Sequence, residues 1–192
     1  LRRYCAFIAG RSLVQALTFP FWVVVLIQRG LPFSHVAALT SAMALGNMSG
    51  LIFWGRLVDR HGPRPVMALG LLGQALLGLA WLTAPQDAGL IWWAGVLYWS
   101  WGLLEGGLQL ASSQAMVGAV EQRYQGEGFA LAIYASAVGG SLGGISGGAL
   151  FQWLSSRGLV WGWEPELLYL STAPLLLAGV WLISLTVQFS RI

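Results

Sequence analysis

Six apolar stretches, each long enough to cross a lipid bilayer, are separated by short polar breaks and take up most of this chain. They run roughly 4–27, 34–54, 65–83, 88–112, 126–154 and 165–187. A helix that crosses about 30 Å of hydrocarbon needs about 20 apolar residues, so the 192 residues read as one all-α transmembrane domain of six helices. Only 9% of the residues are charged, against about 25% in a soluble protein. The single Cys5 cannot form an internal disulfide, which leaves helix packing to hold the fold. Leu1-Arg2-Arg3-Tyr4 leads into the first stretch without a small-residue cleavage site, so this start does not read as a signal peptide. Pro20 lies inside that stretch, removes one backbone hydrogen bond and predicts a kink.

The charges are unevenly shared between the two ends of such a bundle. Six spans place both termini and the second and fourth loops on one face, which collects Arg2, Arg3, Arg56, Arg60, Arg64, Arg123 and Arg191. Arg29 and Arg157 fall on the other. Short cytoplasmic loops carry the basic excess, so the termini are expected in the cytoplasm. Asp87, Glu164 and Glu166 then lie outside, and Trp81, Trp92, Trp93, Trp153, Trp161 and Trp163 are expected at the outer headgroup level. These Arg are scattered over short loops with no soluble domain to present them, which argues against a nucleic-acid partner.

Between the second and third stretches the chain reads Gly55-Arg56-Leu57-Val58-Asp59-Arg60-His61-Gly62-Pro63-Arg64. This composition predicts a compact, tightly turned loop, with Gly62 supplying positive φ and Pro65 in the first turn of the next helix. Asp59 has a carboxylate to offer a helix N-terminus or an Arg across the loop. The run resembles the signature loop of the Major Facilitator Superfamily (MFS) of secondary transporters, Gly-x-Leu-Ala-Asp-Arg-x-Gly-Arg-Arg/Lys. It matches at Gly55, Leu57, Asp59, Arg60, Gly62 and Arg64, and departs at Val58 and Pro63.

The resemblance implies one six-helix half of a transporter, built from two inverted three-helix repeats, with the other half as its missing partner. The chain lacks an initiating Met and ends within a few residues of the sixth span, so the carboxyl-terminal half is the expected one. It also implies a multi-pass protein of the plasma (bacterial inner) membrane that moves a small solute by alternating access. The first and fourth helices of such a half line its cavity. Its fifth helix is Gly-rich, matching Gly139, Gly143 and Gly147 and the adjacent row Gly140, Gly144 and Gly148. Such small-residue rows permit close helix approach.

Ionisable residues inside the bilayer are costly and mark functional sites. Two stand out, Arg11 and Glu105, each about seven residues from the same end of its span, or roughly 10 Å deep at about 1.5 Å per residue. Arg11, Gln15 and Thr18 form one polar stripe at helical spacing, and Glu105, Gln109 and Ser112 form another. Arg11, Gln15, Glu105 and Gln109 are therefore the cavity candidates, with Glu105 as a protonatable coupling group. The competing role is structural, with Arg11 reaching the headgroups and Glu105 in a packing pair. Asn47 and Gln74, single amides in apolar runs, are expected to bond between helices.

Other functions fit less well. Gly139-Gly140-Ser141-Leu142-Gly143 reads Gly-x-Ser-x-Gly, but an intramembrane serine protease needs a base beside the Ser. The histidines, His35 and His61, belong to the second span and the loop after it. Two separated His and one Cys make no metal site, and a chain without Lys has no Walker-type loop. No enzyme activity, cofactor or metal is expected. A non-transporting scaffold or a degenerate transporter half is the serious alternative.

Overall fold

The computed structural model describes residues 2–156, 164 and 166–171. The expectations for Arg157, Trp161, Trp163, Arg191 and most of the sixth span lie outside these residues. Five long helices follow one another: α1 (Arg2–Gln28), α2 (Phe33–His61), α3 (Pro63–Leu79), α4 (Leu90–Ala119) and α5 (Gln125–Ser155). Short 3-10 turns at Ala80–Thr83 and Gln122–Tyr124 join them, and residues 166–171 are helical.

The breaks are made by a few residues. Gly30 takes φ 87° after α1. Its N–H bonds to the Ile27 carbonyl and the Leu31 N–H reaches back to Leu26, a Schellman closure with glycine at its left-handed position. Pro32 then caps α2. Between α2 and α3 the break is shorter than the sequence suggests. The run from Gly55 to His61 is not a loop: α2 continues through it, and Gly62 alone turns the chain, at φ 80° with its N–H on the Val58 carbonyl. Arg and Leu are good helix formers, Val and Asp cost no more than about 0.7 kcal/mol each, and an exposed helix face solvates the charges as well as a loop does. Pro63 and Pro65 occupy the first turn of α3, where no N–H is missed. α1 runs through Pro20 as one helix.

Among the described residues, Tyr4–Gln28, Phe33–His61, Pro63–Thr83 and Gln122–Ser155 are long and apolar enough to span a membrane. α4 has the length, at 30 residues. It carries Glu105 and Gln109 among apolar and aromatic residues, and it is packed against both α2 and α3.

The two most extensive pairings are α2 with α4 and α1 with α5. Exchanging each helix for the one three places along converts one pair into the other, the relation an inverted three-helix repeat generates. Both pairs close on glycine. A Cβ on Gly139 or Gly143 would lie 2.1 or 2.0 Å from the carbonyl oxygens of Ala9 or Leu13, and one on Gly147 would lie 3.0 Å from the Leu17 backbone. On the other pair, a Cβ on Gly46 would meet the Trp99 oxygen at 2.0 Å, and one on Gly102 the Met43 oxygen at 1.9 Å. Gly140, Gly144 and Gly148 face open space instead. A hydroxyl pair, Ser12 with Ser136 at 2.7 Å, also bridges α1 and α5.

An aromatic core closes one end of the bundle. Trp22 lies at its centre, with ring centroids of Trp101, Trp81 and Tyr98 at 4.8, 5.2 and 5.4 Å. Trp81 is fully buried there, which corrects its expected headgroup position. The 3-10 turn that ends α3 swings its indole inward, whereas Trp92 at 79% and Trp153 at 55% exposure remain on the surface. At the same end Arg29 donates to the Ala84 and Pro85 carbonyls and to Glu164, tying α1 to the α3–α4 connection and the start of the next segment.

The glycine contacts predict an asymmetry between adjacent positions. Gly143→Leu forces α1 and α5 apart and lowers the stability of the full-length protein by at least about 1–3 kcal/mol, as overpacking does. Gly144→Leu stays within about 0.5 kcal/mol. Thermal unfolding of the detergent-solubilised protein checks both, and equal melting temperatures for the two variants would refute the packing described.

Candidate functional site

Glu105 sits on the stretch of α4 that other helices enclose most tightly. Gly106 lies against Asn47 of α2, and Gly107 against the Trp54 ring. The Trp54 indole N–H donates to the Leu103 carbonyl at 2.7 Å. On the α3 side, Gly70 and Gly73 make room for Leu108 and Leu104. A carboxylate carried into such a place needs donors, and three helices supply them. Arg11 of α1 bonds and ion-pairs through Nη2 to Oε1. Gln15 of α1 and Gln74 of α3 each donate to Oε2 at 2.9 Å. Gln109, one turn along α4, donates to Oε1 at 3.2 Å. Glu105 is 8% exposed and Gln74 5%, while Gln109 is open on its outer side.

The four cavity candidates read from the sequence, Arg11, Gln15, Glu105 and Gln109, are thus brought into one network. Two other members of the stripes stay outside it: Thr18 bonds the Val14 carbonyl within α1, and Ser112 bonds the Gln109 carbonyl and the Tyr4 hydroxyl. Gln74 joins the network, a place in the site that its sequence context does not announce. A lone amide in the otherwise apolar α3 is the available signal, and it names no partner. Asn47 rests beside Gly106. The signature residues lie apart from this cluster: Asp59, Arg60 and Arg64 are exposed and form no ion pair among the described residues. Gly55 is close to the Leu110 side chain.

The protease arrangement is not assembled. Ser141 is exposed on α5, and His35 and His61 lie at opposite ends of α2.

Spanning helices organised around an enclosed ion pair and its amides define a multi-pass membrane protein with a polar centre, the construction that solute transporters use. The chain belongs to the Major Facilitator Superfamily, whose model matches residues 5–190. It is 33% identical over 131 residues, 68% of this chain, to an uncharacterized MFS-type transporter found in two strains of Mycobacterium tuberculosis. It is 26% identical over 118 residues, 62% of this chain, to the Major facilitator superfamily multidrug transporter mfsB of Aspergillus fumigatus. These matches cover 28% and 19% of the relatives' own lengths, so the aligned part is less than a third of either. The family is one of transporters and not of enzymes.

The geometry ranks the amides. Gln74→Leu removes a buried donor to a charged acceptor and costs about 1.5–3 kcal/mol. Gln109→Leu costs less than about 1 kcal/mol, because water takes the place of the exposed amide. Thermal unfolding of the full-length variants orders them, and a larger loss for Gln109→Leu would contradict that difference in burial.

Proposed function

We propose that this chain is one half of a secondary active transporter, with Arg11, Gln15, Gln74, Glu105 and Gln109 on the wall of its solute path. The observation that carries the reading is the Glu105 carboxylate, enclosed in the middle of α4 and held by donors from α1, α3 and α4. Packing alone does not require so costly a group. All four contacts suit the ionised carboxylate. A proton on either oxygen would displace one of its two donors, so proton arrival and the tie between α1, α3 and α4 are linked. That linkage is what coupling to a proton gradient requires.

The proposal includes a second six-helix half as partner, with this segment as the carboxyl-terminal one, a bacterial inner-membrane or other plasma-membrane setting, and both ends of the segment in the cytoplasm. The basic excess on the expected cytoplasmic loops supports that orientation. The exposed Asp59, Arg60 and Arg64 are left free to meet the other half. The glycine-lined α1–α5 and α2–α4 contacts make each pair a stiff unit, suited to rocking as a body.

Alternating access is testable without knowing the solute. In the full-length protein with its native cysteines replaced, Gln109→Cys is expected to react with a membrane-impermeant thiol reagent in both right-side-out and inside-out vesicles. Labelling from one side alone, under every ion gradient applied, is the result expected of a non-transporting scaffold and would sink the proposal.

A further inference from the structure

The hydrogen-bonding capacity of the cluster is unequally used. Glu105 is fully subscribed, with Arg11 and Gln109 on Oε1 and Gln15 and Gln74 on Oε2. A guanidinium carries five N–H donors. The bond from Arg11 runs from Nη2, while Nε is buried with no partner among the described residues. The Arg11 side chain is only 10% exposed. A desolvated, unpaired N–H on a cation is a standing cost, and it is the only unpartnered buried polar atom of this network among the described residues. What the network lacks is an acceptor.

We propose that Arg11 is the seat for an anionic oxygen group, a carboxylate or phosphate, on the transported solute, and that Glu105 is the internal counter-ion with which the solute competes. This rests on the transporter reading above. The guanidinium fork suits planar or tetrahedral oxyanions. One turn from Glu105 along α4 is Trp101, and one turn from Gln15 along α1 is Phe19, their ring centroids 6.4 Å apart. Trp101 is buried in the aromatic core and Phe19 packs against it, so the apolar wall nearest the oxyanion seat is this packed core. Glu105 keeps Arg11 compensated when the seat is empty. Neutralising Glu105 leaves the cation to the solute.

The test uses the full-length protein in detergent, with benzoate, inorganic phosphate and benzylamine as probes, read by tryptophan fluorescence and thermal shift. Saturable binding of benzoate or phosphate, with none of benzylamine, is expected; benzoate without phosphate marks a carboxylate-bearing apolar solute, and the reverse marks a phosphate group. Glu105→Gln tightens anion binding by about tenfold or more, within the range of coupled sites. Arg11→Gln abolishes it. If Arg11→Gln fails to fold, the neutral pair Arg11→Gln with Glu105→Gln replaces it and is expected to bind no anion. Anion binding unchanged by Glu105→Gln, anion binding that survives loss of Arg11, preference for benzylamine, or no binding of any probe by folded protein would each overturn the assignment. Two-sided labelling at position 109 without anion binding removes the anion seat and leaves the transporter reading standing. Anion binding with one-sided labelling does the opposite.

Discussion

A carboxylate buried among apolar helices has to be given donors by its neighbours, and the placing of those donors organises this molecule. Glu105 is the point at which α1, α3 and α4 meet through side chains instead of through packing alone. Arg11 supplies the opposite charge, and three carboxamides supply direction without charge. Breaking a buried pair by removing one partner leaves an uncompensated charge and costs about 3–5 kcal/mol, while replacing both partners with apolar groups is often neutral. Stability alone therefore gives a weak reason to keep Arg11 and Glu105 together, and a functional role gives a stronger one.

Close approach of the backbones makes the meeting possible. In lipid no hydrophobic force draws helices together, and short contacts between small residues take its place. Gly102 and Gly106 bring α4 against α2, and Gly139, Gly143 and Gly147 bring α5 against α1. Any side chain at Gly102, Gly139 or Gly143 would hold the helices apart. The aromatic core around Trp22 seals the bundle beyond the polar centre, and Arg29 with Glu164 clasps that end.

The parts legible in the sequence are those in which a residue contradicts its surroundings. Arg11 and Glu105 are charges in apolar runs at equal depth along their spans, and the resemblance, which puts the first and fourth helices on one cavity, is what brings them together. Gln15 and Gln109 follow from helical spacing. Gln74 shows only that it is polar, because its partner is 31 residues away on another helix and no local pattern encodes that meeting. Trp81 departs from its expected place for a related reason: an indole near a span end suits a headgroup or a core equally, and the inward turn at Ala80–Thr83 decides between them. The charged run after Gly55 looks like a loop by composition, yet nothing in it forbids a helix before Gly62. The family is legible because the matched positions fall where the second helix ends and the third begins.

The central claim is that the Arg11–Glu105 pair is kept for function, with position 105 built for a carboxylate and position 11 for a cation. Exchanging the charges, Arg11→Glu with Glu105→Arg, in the full-length protein carrying a reporter cysteine at position 109, tests it most directly. The account predicts that the exchanged protein recovers most of the thermal stability lost by either single reversal, because the ion pair is restored. It also predicts that position 109 is labelled from one side of the membrane only. An exchanged protein that regains both stability and two-sided labelling would contradict it and leave the pair a structural tie.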